Sequence, residues 1–318
     1  MPHPHLILSR EAERLGTARD LRRAHASGHL VRVRSGVYAD AQQWTSLDAD
    51  EKYRSFVHAA ALVSGDAAQF SHDSAAALWQ LPSIGPWPSM AHELVAKGPG
   101  GTSRRGIRRH GLGLDPSPVR LDSVLVTSLD RTLLDMSCST TFGRAVTMLD
   151  DALRPTRAGD PRHGWDVRLP TLDGLKSALA ELLPYPGSAR AGLALDFATA
   201  LSGSPGETYS RVQFHALGLP APELQVEFFD ADGSIGFADF YWRHLDLIGE
   251  FDGASKYSAA RRYQRGISLE QLLLEEKARE DRMRRVARSF ARLRWPVVND
   301  RRALAAYLRP FGLVARAA

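Results

Sequence analysis

Three carboxylates lie in a short stretch that is otherwise rich in aromatic and aliphatic residues. The stretch reads FADFYWRHLDLIGEFDGASK, and its acids are Asp239, Glu250 and Asp252. Strand-forming residues flank His244–Leu245–Asp246, which predicts two consecutive β-strands. Side chains two apart on a strand share a face, so Glu250 and Asp252 should project together, and strand pairing brings Asp239 near them. We therefore expect the three acids to converge on one face of a sheet.

Converging carboxylates repel one another unless a cation or a proton neutralises them. Because oxygen ligands suit a hard cation, we predict that Asp239, Glu250 and Asp252 bind Mg²⁺ (or Mn²⁺). The alternative is that acids at strand ends are merely solvated and that Asp252–Gly253 is a turn pair.

Two predicted helices flank this acidic hairpin. The first, SPGETYSRVQFHALGLP, is opened by Ser204 and Pro205, carries Glu207 and ends at Gly218. The second, LEQLLLEEKAREDRMRRV, carries Lys277 among acids and arginines. An acid-bearing helix, an acid-bearing hairpin and a lysine-bearing helix thus follow one another along the chain.

This order resembles the restriction-endonuclease-like PD-(D/E)XK superfamily, and in particular its domains related to very-short-patch-repair endonucleases. The motifs that carry the resemblance are Asp239–Phe240 and Glu250–Phe251–Asp252–Gly253, within about residues 200–300. The resemblance implies that Asp239 and Glu250 bind the catalytic metal, that Glu207 assists, and that a lysine orients the attacking water.

The chain departs from this family's pattern at one position. Asp252 stands where the lysine of the E-x-K motif would be. Lys277 is then the first candidate for the catalytic lysine and Lys256 the second. The alternative for Lys277 is a pairing along its own helix with Glu280 or Asp281. The full catalytic prediction comprises Glu207, Asp239, Glu250, Asp252 and Lys277.

Charge and cysteine content restrict the class of protein. The chain of 318 residues has a net charge of +5, and residues 254–318 hold sixteen Lys and Arg against six Asp and Glu. This excess favours an anionic partner such as DNA. A single cysteine, Cys138, excludes an internal disulfide framework and a multi-cysteine zinc site. Because no run approaches the length of a membrane helix, we expect no membrane partner and a cytoplasmic location.

The N-terminal segment LILSREAERLGTARDLRRAHASGHLVRVRSGVYA has the pattern of two short helices followed by a hairpin. Ser9 and Thr17 are predicted to cap the helices, and Leu15 is expected in the seam between them. Helix, turn, helix and hairpin predict a winged helix-turn-helix, although a solvated helical hairpin is the alternative. The predicted DNA contacts are arginines on the second helix and on the wing: Arg19, Arg22, Arg23, Arg32 and Arg34.

This segment resembles the N-terminal domain of AbiEi-type antitoxins, which are DNA-binding autorepressors. The resemblance continues through FSHDSAAALWQLP (70–82) and VTSLDRTLLDMSC (126–138), where a helix is predicted to begin at Thr127 and continue to Leu153. Asp130, Arg131 and Asp135 are interpreted as an ion-pair network rather than a catalytic site. His72 and Asp73 are interpreted as residues at a helix start.

Together these patterns predict a mixed α/β protein with four parts. These are a winged helix-turn-helix at 1–40, an AbiEi-like middle domain at 41–153, a linker with helices at 154–203 and a nuclease-like domain at 204–318. One functional hypothesis is a DNA-binding, Mg²⁺-dependent endonuclease acting in phage defence or DNA repair. The alternative is an AbiEi-like autorepressor that has an inactive nuclease fold and a toxin or other operon partner.

Overall fold

The computed structural model describes residues 4–98, 103, 106–155, 168–253 and 269–315 of a mixed α/β protein. These residues form two compact units, one of residues 4–141 with 168–196, and the other of residues 142–155 with 197–253 and 269–315. Among the described residues, no helix combines the length and the hydropathy that crossing a bilayer requires.

The first unit begins with two short helices beside a small sheet. The elements are β1 (Ile7–Leu8), α1 (Ser9–Arg14), α2 (Ala18–Ala26), β2 (Leu30–Arg34) and β3 (Val37–Asp40). The sheet order is β1-β3-β2, and both strand pairs are antiparallel. Gly16 ends α1 with a positive φ of 74°. The prediction that Leu15 packs between the helices is wrong: its side chain is 72% exposed, and Ala12 is the buried residue of α1.

A five-stranded sheet and six further helices complete the first unit. Its strands are β4 (Gln69–Phe70), β5 (Ala91–Leu94), β6 (Ile107–His110), β7 (Val119–Leu121) and β8 (Val124–Val126). Its helices are α3 (Ala41–Ser46), α4 (Ala49–Ser64), α5 (His72–Leu78), α6 (Leu129–Ser139), α8 (Leu172–Leu182) and α9 (Ser188–Phe197). The intervening helix α7 (Phe142–Leu153) belongs to the second unit. The strand order is β6-β5-β4-β8-β7, in which β4 and β8, and also β5 and β6, are parallel.

The second unit is a four-stranded mixed sheet with helices. Its elements are α7 (Phe142–Leu153), α10 (Pro205–Ala216), β9 (Glu223–Asp230), β10 (Gly233–Trp242), β11 (Leu247–Phe251), α11 (Leu269–Val286), β12 (Ser289–Leu293), α12 (Trp295–Val298) and α13 (Arg301–Leu308). The order is β12-β11-β10-β9, with β9, β10 and β11 antiparallel and β12 parallel to β11.

Two apolar clusters hold this sheet between its helices. In one, Phe214 of α10 and Leu304 of α13 pack with Phe240 and Trp242 of β10. In the other, Met283 of α11 is fully buried with strand residues of β10, β11 and β12. The two predicted strands around His244–Leu245–Asp246 are confirmed, and Asp246 makes the turn with a left-handed φ of 47°.

The helix predicted from Thr127 to Leu153 is two helices. Its first part, α6, is capped by Ser128 and ends at Ser139, because the backbone of Thr140 is extended; α7 then begins at Phe142. The β-branched pair Thr140–Thr141 stands at the break, in keeping with the weak helix propensity of such residues. Residues 156–167 of the linker with helices predicted at 154–203 lie outside the described residues.

Candidate functional site

Glu207 is positioned by the start of α10. Ser204 caps this helix by accepting a hydrogen bond from the Glu207 backbone N–H at 3.2 Å, with Pro205 in the first turn, as the sequence predicted. The Glu207 carboxylate turns back and accepts a hydrogen bond from the Gly203 N–H at 2.7 Å. Burial raises the pKa of Glu207, whose side chain is only 8% exposed. The capping geometry therefore holds a buried acid at the helix N-terminus.

Asp239 and Glu250 are brought together by the pairing of β10 with β11. The paired register ends with Phe240 opposite Gly249, and Asp239 and Glu250 are the next residue of each strand beyond that pair. Asp239 Oδ2 accepts a hydrogen bond from the Phe251 N–H at 2.8 Å. The convergence of these two acids is what the alternation of strand residues predicts.

Gln225 connects two of the acids, and sequence reasoning missed it. It lies on β9, and its Nε2 donates to Glu207 Oε2 at 3.2 Å and to Asp239 Oδ1 at 3.5 Å. Gln225 has a left-handed φ of 51°, which is costly for a residue with a side chain. No sequence pattern marks this residue, because both the strained backbone and the two contacts depend on the tertiary fold.

Electrostatic repulsion and burial act together on the three acids. Burial, followed by repulsion from Glu207, raises the pKa of Asp239 to about 7. Burial also raises the pKa of Glu250 to about 7, with the nearby Asp239 charge adding to the effect and Arg279 opposing it. One oxygen of Glu250, Oε1, is buried and has no hydrogen-bond partner among the described residues. At neutral pH this cluster favours binding a proton or a cation.

Arg279 is the cation that contacts the acids. Its Nη2 lies 2.8 Å from Glu250 Oε2 and 2.9 Å from Glu276 Oε1 on its own helix, α11. Lys277 is exposed, and within the described part of the chain it forms no hydrogen bond or ion pair, neither with the acids nor with Glu280 or Asp281. Lys256 lies outside the described residues. The cation beside the acids therefore comes from α11, as predicted, but it is Arg279 and not Lys277.

Asp252 is held by other partners. Its Oδ2 lies 3.4 Å from Arg292 Nη1 and 3.1 Å from Arg294 Nη2. Arg292 lies on β12 and Arg294 directly follows it, and the two arginines neutralise Asp252. The predicted metal ligands therefore divide into Asp239 and Glu250, which are paired across strands near Glu207, and Asp252, which is paired with arginines.

The chemistry of Glu207, Asp239 and Glu250 fits a hard divalent cation, because all donors are carboxylate oxygens and Glu250 Oε1 is unpartnered. The donor atoms are not yet gathered as a ligand set. Among the described residues, the one group of three His, Cys, Asp or Glu side chains with donor atoms all within 4.8 Å is His72, His92 and His110. Mg²⁺ binding would thus require the acid side chains to move closer together.

The arginines predicted to bind DNA separate into two groups. Arg19, Arg22 and Arg23 are exposed on α2, a helix without a buried residue, and Arg32 is exposed on the hairpin strand β2. Arg34 differs, because its side chain is buried and only 9% exposed, and burial lowers its pKa. A buried guanidinium does not face a duplex, so the set of surface arginines is Arg19, Arg22, Arg23 and Arg32.

The polar residues of the middle region form a buried network. Arg131 Nε contacts Asp135 Oδ1 at 2.9 Å, and the hydroxyl of Tyr185 donates to the same oxygen. This is the ion-pair network interpreted from the sequence, although Asp130 lies outside these contacts. His72 does begin α5, as predicted, and its imidazole additionally meets those of His92 and His110.

No protein-family model matches this chain, and no curated protein sequence matches it.

Proposed function

We propose that the protein is a DNA-binding, metal-dependent endonuclease whose second unit is a nuclease domain of the PD-(D/E)XK kind. The observation that carries the proposal is the set Glu207, Asp239 and Glu250, in which Glu207 and Glu250 are buried and the pKa values of Asp239 and Glu250 are raised to about 7. Perturbed acids that converge at strand and helix ends are typical of functional sites. The order of acid-bearing helix, acid-bearing hairpin and cationic helix supports the same assignment.

Asp239 and Glu250 would hold the metal, with Glu207 as the third acid. A bound Mg²⁺ or Mn²⁺ would supply an activated water and polarise the phosphate. Gln225 orients the carboxylates of Glu207 and Asp239 through its two hydrogen bonds. Exposed arginines of α2 and β2 would bind the phosphate backbone of the substrate.

Arg279 takes the role that the sequence assigned to Lys277. A cation beside the metal-binding acids offsets charge that develops on the phosphate during attack. Arg279 is already 2.8 Å from Glu250, whereas Lys277 is exposed. Once a metal neutralises Glu250, the guanidinium of Arg279 can turn to a phosphate oxygen.

Cleavage of plasmid DNA by the full chain in Mg²⁺ or Mn²⁺ tests this proposal. We expect Glu250→Gln to abolish cleavage and Arg279→Gln to reduce its rate by roughly a hundredfold or more, as does loss of a transition-state donor in other enzymes. Lys277→Met is the matched control on the same helix and should keep the wild-type rate. Loss of cleavage in Lys277→Met, with Arg279→Gln unaffected, would return the role to Lys277.

The second candidate function is a DNA-binding regulator of the AbiEi-like antitoxin kind with an inactive nuclease fold. Two observations favour it: Arg279 already forms an ion pair with Glu250, and Asp252 stands in place of the E-x-K lysine. Wild-type protein that cleaves no better than Glu250→Gln at any metal concentration, while still binding duplex DNA, would favour the regulator. A neighbouring reading frame that encodes a nucleotidyltransferase-like toxin would support the same conclusion.

A further inference from the structure

Three imidazoles meet in the first unit. His72 begins α5, His92 lies on β5 and His110 ends β6. One ring nitrogen from each lies within 4.8 Å of the others. His72 and His92 are buried, with 3% and 7% of their surface exposed, whereas His110 is half-buried. The cluster therefore has a closed interior and one member that faces solvent.

The sheet dictates this meeting. Parallel pairing of β5 with β6 sets His92 opposite Arg108 and Leu94 opposite His110. The chain leaving β4 continues beside β5, because the Ser71 N–H donates to the His92 carbonyl at 2.9 Å. His72 then adopts a left-handed φ of 49°, which costs energy for a residue with a side chain. Strained backbone of this kind is concentrated at functional sites in proteins.

Two of the three imidazoles, those of His72 and His110, are in the protonation state that a metal requires. Burial lowers the pKa of His72 well below its usual value and that of His110 to about 4, and each ring is further affected by its histidine neighbours. At neutral pH these two rings are uncharged and keep a lone pair on one nitrogen. Neutral imidazole is the form that binds transition metals.

A carboxylate lies behind the ring of His72. Asp135 Oδ2 is 3.8 Å from His72 Nδ1, and it is buried without a hydrogen-bond partner among the described residues. Metal-binding histidines commonly donate their second ring N–H to a carboxylate, which fixes the ring and raises its basicity. His72 Nδ1 also lies 2.9 Å from Ser71 Oγ, so Ser71 and the unsatisfied oxygen of Asp135 are the two groups beside the nitrogen that would face away from the ion.

The distances suit a tetrahedral ion after a small movement. His110 Nε2 and His92 Nδ1 are 3.2 Å apart, close to the ~3.4 Å that separates two nitrogens bound tetrahedrally at about 2.0–2.1 Å from zinc. The rings of His72 and His110 are stacked, with centroids 3.8 Å apart and planes at 13°, so their lone pairs run side by side. One ring must turn to share an ion, and the more exposed His110 is the one we expect to turn.

We propose that His72, His92 and His110 form a three-histidine site for a divalent transition-metal ion of the zinc class, with a fourth position left for water. Imidazole ligands favour Zn²⁺, Co²⁺, Ni²⁺ or Cu²⁺ over Mg²⁺, so this site is chemically distinct from the carboxylates of the second unit. The proposal does not depend on nuclease activity. Its alternative is a metal-free stack of imidazoles that contains the His110–His92 hydrogen bond.

Cobalt titration of the full, metal-stripped chain tests the site, because tetrahedral Co²⁺ has strong visible absorption bands. The chain should carry His3→Gln and His5→Gln, since the sequence His-Pro-His near the N-terminus can bind the same ions. We expect one tetrahedral Co²⁺ per chain, counted from its visible bands, and loss of these bands when Zn²⁺ displaces the ion. His110→Gln should weaken binding by about a hundredfold or more, since even loss of an outer partner costs ~10–100-fold.

His244→Gln is the matched control, because His244 is exposed and lies in the second unit. It should bind Co²⁺ with unchanged affinity. Equal binding by His110→Gln and His244→Gln, or no tetrahedral bands in the parent chain, would overturn the proposal and leave the metal-free stack of imidazoles.

A cysteine at position 110 separates ligand loss from misfolding. His110→Cys should bind Co²⁺ and add a sulfur-to-cobalt charge-transfer band in the near ultraviolet, which appears only if residue 110 binds the ion. The parent chain provides the baseline, since its single thiol, Cys138, is buried and burial raises its pKa to about 11. A His110→Cys chain that binds Co²⁺ without this band would contradict the assignment.

Discussion

The ionisation of Glu250 is set by interactions that oppose one another: burial and Asp239 raise its pKa, and Arg279 lowers it. Its strand buries it, Asp239 repels it and Arg279 attracts it, so its carboxyl is neither a solvated surface acid nor a fully paired one. Its Oε1 accepts no hydrogen bond from the described residues. A group in this state should make stability depend on pH and on any ion that binds it.

The metal-free chain should lose stability as pH rises toward 7. Folding raises the pKa of Asp239 and Glu250 from ordinary carboxyl values to about 7, so between about pH 4 and 7 the folded chain binds more protons than the unfolded chain. The free energy of unfolding then falls by up to ~1.4 kcal/mol per pH unit for each such proton. Urea denaturation at several pH values should show a flatter dependence in Glu250→Gln.

Glu275→Gln is the control for this measurement, because Glu275 is an exposed acid of α11. It should reproduce the wild-type pH dependence. A Glu250→Gln curve parallel to wild type across this range would show that Glu250 ionises normally in the folded chain.

At the scale of elements, the site depends on the close approach of α10 to the end of β11. Gly206 precedes Glu207, and a Cβ built there would lie 1.9 Å from a ring carbon of Phe251. The Phe251 ring is itself held edge-on against Trp295, with centroids 5.1 Å apart. Glycine is therefore what lets the helix carry Glu207 close to the strand that carries Glu250.

Gly206→Ala should destabilise the chain by about 1–3 kcal/mol through overpacking against Phe251. Gly192→Ala is the matched control: it lies within α9, its Cβ would meet nothing within 4 Å, and it should be neutral or stabilising by up to ~1 kcal/mol. Urea denaturation measures both. Equal stabilities of the two variants would show that the helix can shift without cost.

The exposed helix α2 carries the DNA-binding hypothesis. Arg22→Ala with Arg23→Ala should weaken duplex binding roughly tenfold or more and reduce the slope of log affinity against log salt by about two, because two phosphate contacts are lost. Arg168→Ala with Arg190→Ala removes the same charge from exposed positions of the same unit and should leave the slope unchanged. Gel-shift titrations at several salt concentrations distinguish them. Identical slopes for the two double variants would exclude α2 from the interface.

At the scale of the whole molecule, the compact units do not follow the order of the chain. The boundary expected at residue 153 falls at the end of α7, yet α7 belongs to the second unit. The link is Asp150, which is 1% exposed and accepts hydrogen bonds from Arg211 at 2.8 Å and Thr208 at 2.9 Å on α10. An ion pair between distant parts of the chain thus belongs to the core of this unit.

Asp150→Ala should cost about 3–5 kcal/mol of unfolding free energy, because it leaves the largely buried Arg211 without its carboxylate. Asp196→Ala breaks the exposed Lys176–Asp196 pair and should cost no more than ~1 kcal/mol. Thermal and urea denaturation of both variants measure the difference. A small effect at Asp150 would mean that water reaches Arg211 once the carboxylate is removed.

Helix ends and strand alternation could be predicted from the sequence, because they depend on residues that are close along the chain. Ser204 and Pro205 begin α10, Gly16 ends α1, and strand alternation pairs Asp239 with Glu250, because capping, backbone freedom and side-chain period are local properties. The sequence also identified α11 as the source of a cation, since its charge pattern is visible without a fold.

Contacts between side chains that are far apart in the sequence could not be predicted, because they depend on how the elements pack. Arg279 rather than Lys277 reaches Glu250, Gln225 joins Glu207 to Asp239, and His72, His92 and His110 form one cluster from three elements. The rotation of a helix about its axis decides which residue of each turn faces the sheet. The order of the strands decides which strand ends and loops lie next to one another. Neither quantity is encoded in residue spacing, because both result from packing the whole core.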